Sequence, residues 1–325
     1  MIHTLGIAAQ IPQCTWGIRH LDTAGFSEIS LLGQIRQLAF VLALDTRTLG
    51  ADGHYEAAFA RCLTMRRLAR HIGEDTMMAY LVSLSVDGLA QQTLQYVLCL
   101  LPPHADLLRG LRGQLAAVPG TSRSMEKAVQ ADFELVLERM RSDANLLEWI
   151  RQDLAKNAGD QQTKDRAPTL TDEDILALAR EPYQRFLDGV FQVMDSDMPY
   201  EQKYTEIDNQ TNRLADNYAN DLGVLCVMLS GSANQIVHRY SLSVRNVAAY
   251  NALKTAVEVY LVRAQTGQLP KSVPEHAPKD PFSGQAFEYE ITASGFILRC
   301  GAKDLYEDRV WQYEFKIPFG NPERS

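Results

Sequence analysis

Two acids stand where carboxylates are costly. Asp45 and Asp87 each interrupt an apolar helical stretch, and Asp87 is followed by Gly88. A carboxylate taken out of water needs a cationic partner or a raised pKa, and such groups gather at functional sites. The chemistry they would supply is acid–base work in a helical pocket. The competing reading is structural, with each Asp paired to an Arg of a neighbouring helix.

The other chemistry-bearing residues lack the surroundings their chemistry requires. Tyr250 and Lys254 have the spacing of a proton-relay pair, but no glycine-rich dinucleotide loop follows an early strand. Ser230-Gly231-Ser232 is not a nucleophile elbow, which needs a preceding strand and a second glycine; it reads as a helix break and an N-cap. The seven histidines (His3, His20, His54, His71, His104, His238 and His276) include no i, i+4 pair, so metal-ligand spacing is absent. Cys14, Cys62, Cys99, Cys226 and Cys300 form no CxxC, and an odd, scattered set is not a disulfide framework. Cys62, Cys99 and Cys226 read as small core residues. Asp195 and Asp197 read as a solvated loop. No catalytic, cofactor-binding or metal-ligating residue is assigned, and no cofactor is expected.

The chain has 325 residues, of which 46% are hydrophobic and 22% charged, with a net charge of −8. That length can bury a large core. The acidic balance argues against nucleic acid and anionic membrane surfaces, both of which select basic footprints. Arg61, Arg66, Arg67 and Arg70 form the densest basic cluster and read as a solvated stripe. The opening MIHTLGIAAQIPQCTWGI has neither a basic n-region nor a long apolar stretch and is not read as a signal peptide. The longest apolar run, Leu222–Leu229, falls far short of the roughly 18–20 residues of a membrane span.

The elements that must position these residues are mostly helical. Leu31, Ile35, Leu38, Val41 and Leu42 recur at helical steps, and Gly50 with the Ala51-Asp52-Gly53 turn ends that helix. A second helix spans 54–72 and stops at Gly73. A third, 75–101, is apolar on most sides and so is expected at the centre. Pro102-Pro103 ends it, and 105–117 follows. Helices are expected over 124–156, from Thr171 with an N-cap, over 200–230 and over 234–265, with Pro182 kinking its helix or restarting it. Asn157–Pro168 is polar, carries Gly and Pro, and reads as a linker.

After Gly267 the period shortens to two. Phe287, Tyr289 and Ile291 alternate with Glu288 and Glu290; Ala293-Ser294-Gly295 turns the chain, and 296–300 returns. Residues 311–317 give a third strand. The expected fold class is mainly α, of antiparallel helical hairpins, with a small C-terminal α+β element of one helix and a three-stranded antiparallel sheet. The division drawn from this is 1–157, a linker at 158–170, a second helical block at 171–245, and a C-terminal module at 246–325.

Two resemblances add expectations. Gly53-His54-Tyr55-Glu56-Ala57-Ala58-Phe59 looks like the turn and second-helix start of a tetratricopeptide hairpin, without a regular repeat following it. The order of an apolar helix, Gly267-x-Leu269-Pro270, Asp280-Pro281-Phe282-Ser283-Gly284-Gln285-x-Phe287-x-Tyr289 and Gly295-Phe296-x-Leu298 is similar to the globular tail of the type II secretion major pseudopilin. The whole chain also resembles uncharacterised bacterial proteins that join a helical-hairpin body to such a tail, with Leu68-Ala69-Arg70-His71 among the matching residues. The resemblance implies an envelope-associated protein, this chain being the soluble part beyond an N-terminal anchor. It also implies a calcium loop at Gly301–Asp308, where Asp304, Glu307 and Asp308 supply acids but Gly301 is the single glycine.

The functional expectation is a non-enzymatic interaction or scaffold protein that binds a protein or peptide, with no nucleic acid and no membrane insertion by this chain. The alternatives are an enzyme using Asp45 or Asp87, and a calcium-stabilised secretion-related component.

Overall fold

The computed structural model describes residues 26–73, 76–118, 124–219 and 224–317, with isolated positions 7, 9 and 11. Among them are ten α-helices and one three-stranded antiparallel sheet at the C-terminal end, the architecture the periodicity predicts. None of these helices is long and apolar enough to cross a membrane.

Internal packing divides the chain into two units, residues 1–128 with 243–325, and residues 129–242. The first unit starts with three helices: α1 (Phe26–Ala51), α2 (Tyr55–Ile72) and α3 (Met77–Leu100). Gly53 turns α1 into α2. Thr76 caps α3 by accepting from the Ala79 N–H at 3.1 Å, satisfying one of the donors a helix start leaves open. Leu32, Ile35 and Ala39 of α1 meet Ala69 and Ile72 of α2 and Ala79, Val82 and Val86 of α3 in one apolar cluster. The central position expected for α3 is seen in its burial, with Tyr80, Val86, Leu94, Val97 and Leu98 all closed off. Helix α4 (Ala105–Ala117) follows the Pro102-Pro103 stop.

The C-terminal module belongs to this same unit. Strands β1 (Glu288–Thr292), β2 (Gly295–Arg299) and β3 (Gln312–Lys316) pair in sequence order, with Tyr289 opposite Leu298 and Phe296 opposite Phe315. Phe296 and Phe315 stack at 5.1 Å, and Tyr260 meets both edge-on from the last long helix. The free edge of β3 is covered by α3. Gln95 Nε2 donates to the Glu314 carbonyl at 2.7 Å, and the Lys316 N–H reaches Cys99 Sγ at 3.2 Å. An uncovered edge would be a template for pairing with other chains, so this contact also protects the sheet. The sequence division, with its linker at 158–170 and a separate module at 246–325, does not carry this return of the last third onto the first helices, because long-range docking leaves no local signature.

Loop and turn chemistry matches the proline and glycine pattern. Asn251 Nδ2 donates to the Lys279 carbonyl at 2.9 Å, tying the proline loop to the helix. Buried Asp280 accepts from the N–H groups of Phe282, Ser283 and Gly301, an acid serving as a loop organiser. Gly284 adopts φ +71 in the turn leading to β1, where a side chain would be strained.

The second unit contains the rest of α5 (Ser124–Ser142), α6 (Ala144–Asn157), α7 (Gln161–Arg166), a short 3-10 turn (Ala167–Thr169), α8 (Asp172–Asp195), α9 (Tyr200–Ala219) and the first part of α10 (Val224–Thr266). Its core includes the Phe133–Tyr183 stack at 4.3 Å and the Tyr200–Tyr240 stack at 5.9 Å.

Three expectations change here. The proposed linker is ordered: Asp160 caps α7 by accepting from the Thr163 N–H at 2.8 Å, and Arg151 Nε donates to the Leu170 carbonyl at 3.0 Å. Its polarity marks solvent exposure rather than absence of structure. Of the two outcomes expected at Pro182, the restart does not occur, since α8 runs through it. The break expected at Ser230–Ser232 is absent because the helix α10 continues from Val224 to Thr266. Ser and Gly are only weak helix formers, and buried Ala233, Ile236 and Val237 carry the helix past them. The Thr171 cap is as expected and is completed by Asp174 into a capping box.

Candidate functional site

Asp87 is fully buried, and so is its partner. Arg66 Nε donates to Asp87 Oδ1 at 2.7 Å, and Gln91 Nε2 donates to Oδ2 at 2.9 Å. Arg66 was expected on a solvated stripe. It is instead 2% exposed, because α2 turns this one arginine inward onto α3. Its Cζ lies 3.4 Å from the centre of the Tyr250 ring. Tyr250 in turn donates its hydroxyl to the Leu115 carbonyl and reaches the Val118 carbonyl at 3.2 Å. The network therefore ties α2, α3, the end of α4 and α10 together. Each Asp87 oxygen accepts one of these hydrogen bonds, and the side chain is fully buried away from any substrate.

Tyr250 and Lys254 do meet, with Lys254 Nζ 4.8 Å from the ring centre, but the phenol is closed off by backbone carbonyls. Burial pushes the Tyr250 phenol above its ordinary value, against the pull of Arg66. Burial also lowers the Lys254 ammonium, and Arg66 adds to that. A phenol held protonated beside a guanidinium is a structural donor.

Asp45 pairs with Arg61 at 3.0 Å across α1 and α2, with both side chains partly exposed. Ser230 and Ser232 lie in α10, and their side chains are outside the described residues, as are Cys14, His3, His20 and the Cys226 side chain. Cys62 and Cys300 are buried thiols, while Cys99 is half-buried against β3. His104 caps α4, and His276 contacts Glu258 at 2.9 Å beside Arg112. In the loop before β3, Asp304 is buried. It accepts from Arg245 at 3.2 Å, from the Trp311 ring N–H at 3.1 Å and from the Tyr306 N–H. Glu307 also pairs with Arg245, and Asp308 with Lys303. The acids that the pseudopilin resemblance would assign to calcium are thus each paired with a protein cation, Arg245 being shared by Asp304 and Glu307. No cluster of three or more metal-ligating side chains occurs among the described residues.

A groove of about 340 Å³ lies between α1 and α3. Arg36 and Phe40 form one wall, Gly88, Leu89 and Gln92 the other, and Ala39 and Val86 line it between them. Neither Asp45 nor Asp87 lines it. Gly88 keeps it open, since nothing lies within 4 Å of where its Cβ would stand. Beside it runs an apolar ridge on α1, with Phe40 57%, Val41 43% and Leu44 68% exposed. Farther along, Arg47 lies over the Tyr96 ring of α3 at 5.4 Å. The signal for this ridge is present in the sequence. The run Leu38-Ala39-Phe40-Val41-Leu42-Ala43-Leu44 is apolar all round, wider than one buried stripe needs.

No protein-family model, curated protein or solved structure matches this chain.

Proposed function

We propose that this protein is a non-enzymatic interaction module whose docking surface is the α1–α3 groove and its apolar ridge. The observation carrying this reading is the exposure of Phe40 and Leu44 on a helix whose opposite face already packs the core. Large apolar side chains grouped at a groove mark a binding surface, whereas single scattered ones do not. The enzymatic alternative has less support, because Asp45 and Asp87 are both held by arginines and neither faces the groove. The envelope-associated role implied by the pseudopilin-like order of the C-terminal module accompanies this proposal.

The test is a photo-crosslinking residue placed at Leu44 in the native host, with the exposed Arg185 position of α8 as control. A discrete protein adduct at position 44 that disappears on Phe40→Glu is the expected outcome. A smear identical to that of the control rejects the reading.

A further inference from the structure

Resting on that reading, we infer that the groove takes an acidic amphipathic helix from another protein. Two parallel walls with an apolar floor are the geometry into which a helix lays its apolar face, reading out as anchors at i, i+3, i+4 and i+7. The charge around the groove then selects the partner. Arg36 lines the groove, and Arg47 stands beyond it over Tyr96 of α3, eleven residues along α1. At helical rise and twist they are separated by about 16 Å along α1 and by only about 20° around it. Phe40 and Leu44 fall between them, within about 80° of Arg36 on the same scale.

Neither guanidinium forms an ion pair among the described residues. Asp45 sits on the far side of α1 with Arg61, and Asp87 is closed in with Arg66. An acidic chain of net charge −8 thus presents an apolar groove flanked by two unneutralised cations. A second copy docking symmetrically would bring Arg36 and Arg47 against like charges, which costs affinity. An anionic bilayer would be repelled by the rest of the molecule. A helix with an apolar stripe and carboxylates about 16 Å apart, roughly three turns, satisfies both the floor and the ends.

The test uses two synthetic helical peptides with the same apolar face, one carrying glutamates on its polar face and the other lysines. Binding to the full chain is read by fluorescence anisotropy. The glutamate peptide is expected to bind at least about tenfold tighter, as electrostatic complementarity at a rim allows. Arg36→Glu with Arg47→Glu should reverse that order with at most a small fall in melting temperature, since neither residue is in the core and only the Arg47–Tyr96 contact is lost. Phe40→Glu should weaken both peptides. Equal binding, or preference for the lysine peptide, overturns the acidic assignment. If Phe40→Glu still removes binding in that case, the docking surface survives and only the charge assignment fails. Failure of the glutamate peptide to bind also overturns it, as does Arg36-dependent binding of the chain to anionic vesicles or a Leu44-dependent dimer in sedimentation. The cross-linking result at position 44 decides the parent reading independently.

Discussion

Arg66 Cζ sits 3.4 Å from the centre of the Tyr250 ring, which places a guanidinium from the first third of the chain on an aromatic from the last. The same guanidinium is held by Asp87, so a charge and its counter-charge from the consecutive helices α2 and α3 are buried together against α10. Removing one partner of such a pair strands the other. Arg66→Ala or Asp87→Ala should each cost about 3–5 kcal/mol. Arg66→Lys should recover little, because an ammonium lacks the planar fork that both stacks and donates. The double variant Arg66→Met with Asp87→Leu should regain most of the loss, since no uncompensated charge remains. Urea midpoints of the four proteins decide this. A double variant no better than the singles would show that the pair itself stabilises the fold.

The hairpin turn gives a sharper steric prediction. A Cβ on Gly295 would lie 1.9 Å from the Phe315 carbonyl oxygen, which is backbone and cannot move aside. Gly295→Ala should therefore cost at least about 2–3 kcal/mol, the range of a strained backbone site. Gly110 in α4 is the control, with open space around its Cβ. Gly110→Ala should stabilise by about 0.5–1 kcal/mol through helix propensity alone. Thermal melting of both variants checks the contrast, and a neutral Gly295→Ala would contradict the strand register described for β2 and β3.

In the loop before β3, Arg245 occupies the electrostatic role of a cation toward Asp304 and Glu307. It also lies over Trp311, at 4.6 Å from the ring centre. Millimolar calcium should leave the melting midpoint where chelator leaves it. Arg245→Ala should lower stability by about 1–3 kcal/mol, as it leaves buried Asp304 short of a donor. A midpoint that rises with calcium in the wild-type protein would restore the calcium reading.

Much of this architecture is written in local pattern. The strand signal at Phe287 and Tyr289, the Pro102-Pro103 stop and the Thr171 cap each act through their own backbone, so neighbours in sequence suffice to read them, although Ile291, expected on the same face, is 51% exposed. Arg66 could not be placed this way. It is one of four arginines on α2, and what sends it inward is Asp87 on another helix and Tyr250 on a third. Ser230-Gly231-Ser232 misleads for a related reason, because its weak local propensity is overridden by the burial of Ala233, Ile236 and Val237. The groove was half legible. The over-wide apolar run at 38–44 is in the sequence, but the opposite wall at Gly88 and Gln92 appears only when α1 and α3 lie side by side.

Alkaline solution should unfold the protein through its buried phenols and thiols. Burial pushes the Tyr80 phenol up to about 12 from an ordinary 10.0, and raises Tyr260 and Tyr313 further. Cys62 and Cys300, ordinarily at 9.0, are raised by the same cause. Above its ordinary value each such group ionises in the unfolded chain while the folded chain still holds its proton. Stability is therefore fully present below pH 9.0, begins to fall as the unfolded thiols titrate, and falls faster above pH 10.0 as the phenols join. Each group adds a slope of about 1.4 kcal/mol per pH unit within its window. Lys254 opposes this. Its proton is more weakly held in the folded state, so it adds stability as pH rises toward 10.5, but it is one group against several. Urea unfolding from neutral pH to pH 11 should show this bend, and Tyr80→Phe should flatten the upper slope by one group whatever its effect at neutral pH. A stability that stays level through pH 10.0 would mean that these side chains are open to solvent.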